Sequence, residues 1–247
     1  MNNPTNKQPS IATFNNKPIS LSLDAVRQVF DTNGLPAIIS AVLAIILSVA
    51  TQAFSGVNQT DATSGLLQFG FFGLSAFVGV IGTGIAIKSI AGEKMTFSEA
   101  VSWSLEKFLV YLGYVLALIA LIVGGLLLLV IPGVLFAIWF GLAPILKLDE
   151  GGTLRENFAK SKSLIRGREV EYLAVGIAGF IVSGLSLLGP AAQTAPTIAW
   201  LRQVQSAKAK NEEMPKTATQ SWVLVSIAVV MSAIIAATFI FLIAASA

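Results

Sequence analysis

The sequence predicts an all-α fold, a polytopic integral membrane bundle of roughly six to seven transmembrane helices with short cytoplasmic amphipathic helices. Three observations carry this. Hydrophobic residues make up 55% of the chain and charged residues 12%, against a charged share of about 25% in a soluble domain. Several uncharged runs reach the roughly 20 residues that cross a bilayer. Lys and Arg are confined to short connections between alternate runs, the distribution that sets membrane topology.

Residues 1–20 are rich in Asn, Pro, Thr, Lys and Gln and read as a disordered cytoplasmic tail. Leu21, Leu23, Val26, Val29 and Phe30 then mark an amphipathic helix, with Asp24 and Arg27 facing water and an end near Asn33-Gly34. A first span follows over residues 36–54. The connection 55–64 is polar and lacks Lys and Arg, which suits the outer side.

The second span, residues 65–91, carries a small-residue stripe at Ser75, Gly79 and Thr83, and Gly70, Gly73, Gly82 and Gly84 add more close-approach surface. Small residues let helix backbones meet in lipid. The stripe reads as packing within the bundle, with a homo-oligomer seam as the alternative. Thr96 and Glu99 form a capping box that opens the next helix, and Trp103 belongs at the interface. A third span runs over 108–130. Ile131-Pro132-Gly133 turns the chain, and a fourth span over 134–148 kinks at Pro144. Asp149-Glu150 reads as a solvated acidic elbow, with a cation site shared with Glu169 or Glu171 as the sharper alternative.

Thr153 and Glu156 form a second capping box. The helix after it places Leu154, Phe158, Ser161 and Ile165 on one face with Leu164 at its edge, and Gly167 caps its end. Such a helix lies along the membrane surface. Arg155, Phe158, Lys160, Lys162, Arg166 and Arg168 form the candidate surface for lipid, especially anionic headgroups, or for partner membrane proteins. A fifth span over 170–188 is broken by Gly189-Pro190. Residues 191–204, with Gln193, Thr194, Pro196 and Thr197, read as a less apolar sixth span packed inside the bundle. A polar linker over 211–220 precedes a C-terminal transmembrane helix within 221–247. With the N-terminus cytoplasmic, every Lys and Arg falls inside, provided the sixth segment crosses.

The Ile131–Gly167 region also resembles the glycerophosphoryl diester phosphodiesterase membrane-domain family and related polytopic proteins. The shared pattern is Ile131-Pro132-Gly133, an apolar helix, an acidic residue, then Ser161, Leu164 and Gly167. Relatives tend to carry aromatics after the serine and the glycine; here Lys162, Arg168 and Glu169 stand there. The likeness covers residues 21–210 or so and implies a membrane module without the catalytic domain.

The chain contains no histidine and no cysteine, so the commonest general base and the commonest thiol and imidazole metal ligands are missing. No ionisable group lies within the central part of an apolar run, where a membrane enzyme or ion-coupled transporter keeps such groups. A net charge of +3 calls for no nucleic-acid partner. The expected function is a non-catalytic, cofactor-free, multi-pass cell-membrane protein that organises or binds lipid or scaffolds membrane partners. The alternative is a small transporter or channel-like protein for an uncharged or lipidic substrate.

Overall fold

The computed structural model describes residues 15–55, 62–128, 130–184 and 187–246. Helices follow one another through them: α1 Pro18–Ser55, α2 Ala62–Ile90, α3 Phe97–Leu128, α4 Val130–Phe140, α5 Ala143–Glu150, α6 Leu154–Ile165, α7 Glu169–Val182, α8 Gly189–Ala209 and α9 Thr219–Ser246. There is no strand among the described residues, as the composition predicts. Residues 1–14 of the expected tail and 56–61 of the expected outer connection lie outside the described residues. The rest of the tail is ordered, because the Asn15 N–H donates to Gln203 Oε1 at 3.2 Å and α1 starts at Pro18.

The core is built around α8, which packs against α1, α2 and α7. Ala191, Ala192 and Ala195 are fully buried, and so are Ile198, Leu201 and Val204. Alanine there lets neighbouring backbones close in. A Cβ on Gly82 of α2 would sit 2.7 Å from the Pro190 side chain and the Ala191 nitrogen. A Cβ on Gly189 would sit 2.5 Å from Ala41 Cβ of α1, and Gly189 has φ +82°, a region that favours glycine. On the other side, Gly179 of α7 faces Pro196, and Tyr172 stacks obliquely on Trp200 with ring centres 5.7 Å apart. α7 and α8 are therefore an antiparallel hairpin. Its tip meets α1 at Ala41 and α2 at Gly82, well inside both helices.

Asn33-Gly34 is the kink of one long helix rather than the end of a short one. Asn33 has φ −135°, ψ 44° within α1, and Pro36 has no N–H to give to the Thr32 carbonyl. The arm before the kink is amphipathic as expected. Leu21, Val26 and Val29 are buried and Asp24 and Arg27 exposed, though Leu23 also faces outward.

α3 and α4 form a second hairpin. Pro132 falls in the first turn of α4, where its ring is tolerated. Gly133 permits close contact: a Cβ on Gly125 would lie 2.8 Å from Gly133 Cα. Past Phe140 the chain breaks in a turn at Gly141-Leu142, and Pro144 sits in the first turn of α5. The kink expected at Pro144 is thus a full break. Gly141 is fixed by crowding, because a Cβ there would lie 2.5 Å from Tyr172 Oη.

The expected count of six to seven spans is corrected. Among the described residues, four segments are long and apolar enough to cross a membrane: Pro18–Ala53, Gly65–Ile90, Phe97–Leu127 and Pro132–Glu150. α7 has 14 residues and rises only about 21 Å, short of the ~30 Å hydrocarbon core. α8 is longer, but its C-terminal half carries Arg202, Gln203 and Gln205, and more than half of it is buried in protein. In α9, an apolar stretch Thr219–Ser232 exposes Trp222, Val223 and Ile227. Further exposed apolar side chains, such as Ile46, Phe69, Leu109 and Leu116, belt the long helices.

Packing at α8 predicts an asymmetry within α2. Gly82→Leu should lower thermal stability in detergent by roughly 1–3 kcal/mol, the usual cost of overpacking. Gly79→Leu should do much less, since a Cβ there meets nothing within 4 Å. Equal losses in thermal melts of the two variants would refute this packing.

Candidate functional site

The acidic elbow and the helix after it form the most densely bonded polar region. Gly151 and Gly152 have φ +80° and +84°, so two glycines make the turn between α5 and α6. Thr153 caps α6, and the full capping box with Glu156 is present. Bonds from the Thr153 backbone and hydroxyl hold the Glu156 carboxyl below its ordinary pKa. Gly167, at φ +80°, follows the last turn as a left-handed glycine.

The α6 face buries Asn157, Ser161, Leu164 and Ile165. Ser161 Oγ donates to the Trp139 carbonyl at 2.6 Å. Asn157 Nδ2 donates to Tyr114 Oη at 3.0 Å and to the Gly151 carbonyl at 2.8 Å. Phe158 meets Tyr114 edge-on at 6.3 Å and lies tilted on Phe140 at 5.2 Å. The face read as membrane-facing is therefore docked onto α3 and α4. Its hydroxyl and amide explain the docking, since each finds a protein partner there.

The elbow is solvated only in part: Glu150 is exposed, as read from the sequence, whereas the Asp149 side chain is withdrawn from solvent. Asp149 is 5% exposed and pairs with Arg202 of α8 at 2.7 Å. Glu150 pairs with Lys160 and accepts from Gln205 Nε2 at 2.7 Å. Glu171, 4% exposed, pairs with Arg168 at 2.7 Å. Glu169 Oε1 accepts from Trp139 Nε1 and from the Gly167 N–H, each at 3.1 Å. Among the described residues no group of acidic side chains is arranged to hold a metal ion. The cation site weighed from the sequence is replaced by these pairs.

The six surface candidates thus divide. Lys160 is tied to Glu150, Lys162 lies 4.8 Å over the Trp139 ring, and Arg168 is held by Glu171. Phe158 is half-buried, while Arg155 and Arg166 are exposed. Of the motif residues, Pro132 and Gly133 close the α3–α4 hairpin, and Ser161 and Leu164 are buried in the α6 contact. Ile131 belongs to α4, and its side chain lies outside the described residues. In the α2 stripe, Thr83 is buried with its hydroxyl donating to the Gly79 carbonyl at 2.9 Å. Ser75 and Gly79 line a cavity of about 260 Å³ with Ala44, Pro190 and Gln193. Of the glycines read as close-approach surface, Gly82 and Gly84 meet Pro190 and Trp103, whereas a Cβ on Gly70, Gly73 or Gly79 would meet nothing within 4 Å.

Several residues that organise the site carried no signal in the sequence. Asn33 is 3% exposed. Its Nδ2 donates to Ser89 Oγ at 2.8 Å and the Glu93 carbonyl at 2.9 Å, and its Oδ1 accepts the Met95 N–H at 2.7 Å. Gln28 Nε2 donates to the Ser89 and Ile90 carbonyls, closing the end of α2. Trp139 falls unremarked within the fourth apolar run, and Arg202 reads only as one of the inside charges. Only long-range packing reveals what they bind.

No protein-family model, curated protein or solved structure matches this chain. The family likeness accordingly rests on the short motifs quoted for it.

The Asp149–Arg202 pair joins α5 to α8, and truncating Arg202 strands a buried carboxylate. Arg202→Met should cost about 1–3 kcal/mol, below the range for a fully buried pair because Arg202 is 37% exposed. Asp149→Leu combined with Arg202→Met should recover much of that loss. A double-mutant cycle in thermal melts that returns no coupling would show the pair to be energetically idle.

Proposed function

We propose that this chain is a non-catalytic multi-pass membrane protein whose role is to bind and organise lipid. The observation that carries the reading is the division of the molecule into two regions. An apolar belt on the long helices faces outward, while the acidic groups around the elbow are engaged with cations, caps and indoles of the same chain. Carboxylates held in this way maintain architecture and are not free for acid–base work. Around α8 the bundle is closed by backbone contacts at Ala41, Gly82 and Gly189.

The topology that fits this reading has five crossings. α1, α2, α3, the α4–α5 segment and α9 cross, and α7–α8 enters and returns on the cytoplasmic side. The hairpin tip lies against the middle of α1 and α2, and irregular backbone at membrane depth is tolerated where protein buries it. Lys208 and Lys210 then stay inside, with the N-terminus, in accord with the positive-inside distribution.

The transport alternative is favoured by one observation, the cavity beside Ser75 and Gln193 at the tip of α8. Directly beneath it the Gly82 and Gly189 contacts leave no space for a methyl group, which makes a passage less favourable than a packed bundle.

Two measurements test the proposal. Purification in mild detergent should bring down phospholipid at a fixed ratio to protein. A lipid-free preparation of full stability, or solute flux in proteoliposomes, would reject the lipid role. In the cysteine-free chain, Leu187→Cys should resist an impermeant thiol reagent added from outside, and Lys210→Cys should react only from inside. External labelling of Leu187→Cys would mean that α7 and α8 cross.

A further inference from the structure

The kink in α1 creates a second cavity, of about 540 Å³, between α1 and the connection from α2 to α3. The geometry points to a binding site there for one zwitterionic phospholipid whose headgroup carries a primary ammonium. This rests on the lipid-binding reading and names the lipid class and the place.

The walls match such a molecule part by part. Leu35, Pro36 and Ile39 from α1, with Met95 and Phe97, give the cavity an apolar side. That side continues onto the outward face of α1, where Leu35, Ile38 and Val42 are 70%, 51% and 49% exposed. An acyl chain entering from the bilayer therefore meets unbroken apolar surface. At the other side, two opposite charges line the same space, Lys94 and Glu99, and both are exposed. An ammonium on a flexible stem suits a phosphate.

Glu99 accepts from the Thr96 N–H at 2.7 Å and the Thr96 hydroxyl at 2.9 Å, both on Oε2. Among the described residues its Oε1 accepts no hydrogen bond, which leaves it to receive an ammonium. Thr32 lines the same wall, and Pro36 offers its carbonyl no N–H. Asn33 is no competitor for the ligand, because its amide is committed to Ser89, Glu93 and Met95. It fixes the shape of the cavity. An anionic headgroup would meet Glu99 as a like charge, and a choline headgroup has no N–H to donate. The paired signs thus favour an ethanolamine-type headgroup over both.

The test uses the full chain reconstituted into vesicles of equal parts phosphatidylethanolamine, phosphatidylcholine and phosphatidylglycerol. The protein is then extracted mildly, and retained lipid is identified by native mass spectrometry. Wild type should retain the ethanolamine lipid preferentially. Lys94→Glu should reduce that retention about tenfold, the scale of reversing one near-surface charge. Glu99→Gln keeps an amide able to cap α3 and should shift retention toward the glycerol lipid. Both side chains are exposed, and unchanged thermal melts would confirm folded variants. Tight retention without ethanolamine preference, unaffected by either substitution, would overturn this site while leaving a general lipid role standing. Wild type that retains no lipid would overturn both.

Discussion

Close backbone packing around α8 is the constraint on which the rest of the architecture depends. This helix carries Gln193, Thr194, Arg202, Gln203 and Gln205, groups that are costly to place against hydrocarbon. It is stable at the centre because α1, α2 and α7 surround it, and they can approach because glycine and alanine occupy the contacts. Once α8 is fixed, its C-terminal half gathers the other segments. Arg202 holds α5 through Asp149, Gln205 reaches Glu150, Gln203 receives Asn15, and Lys208 donates to the Ser163 carbonyl of α6 at 2.6 Å. A polar helix that would fail as an independent span thus becomes the element on which the contacts of α5, α6 and the segment before α1 converge.

The kink in α1 is the matching device. α8 meets the chain on both sides of the kink, through Gln203 at Asn15 just ahead of α1 and through Gly189 at Ala41 beyond the bend. Pro36 breaks the hydrogen-bond ladder, which alone would leave a hinge. Asn33 turns the hinge into a fixed bend by using both amide hydrogens and its oxygen on the end of α2 and the connection to α3. Ser89, itself bonded to the Ile85 carbonyl at 2.7 Å, links this amide to the α2 ladder. The bend and the cavity beside it therefore have one cause.

Features decided by local chemistry were legible in the sequence. Both capping boxes, the left-handed Gly167, the place of the α1 bend and the inward packing of residues 191–204 follow from nearby side chains or composition. Features decided by which helix lies opposite were not. Apolarity alone does not distinguish a short buried helix such as α7 from a membrane span, because protein interior and lipid select the same residues. Likewise, the small-residue stripe marks a contact surface on α2 but does not say which turn touches, and Gly82 rather than Gly79 meets Pro190. The amphipathic face of α6 was found, but its partner was inverted. Ser161 and Asn157 require hydrogen bonds when buried, and Trp139, Tyr114 and Gly151 supply them where lipid tails would not.

That inversion changes how this protein can act on a membrane. A helix lying free with its cations outward attracts anionic lipid diffusely, each near-surface charge contributing about 1 kcal/mol. Here Lys160, Lys162 and Arg168 are occupied by Glu150, Trp139 and Glu171, and Glu156 shares the exposed face with Arg155. The exposed charges are of mixed sign, and salt screens them within about a Debye length. In the lipid-binding role proposed above, selectivity among lipids would come from shape and paired charges at a particular place, not from a basic face. The α1 bend supplies such a place, with an apolar wall, a cation and a carboxylate around one cavity. A site of that kind discriminates by headgroup chemistry and is less sensitive to ionic strength than a surface helix would be.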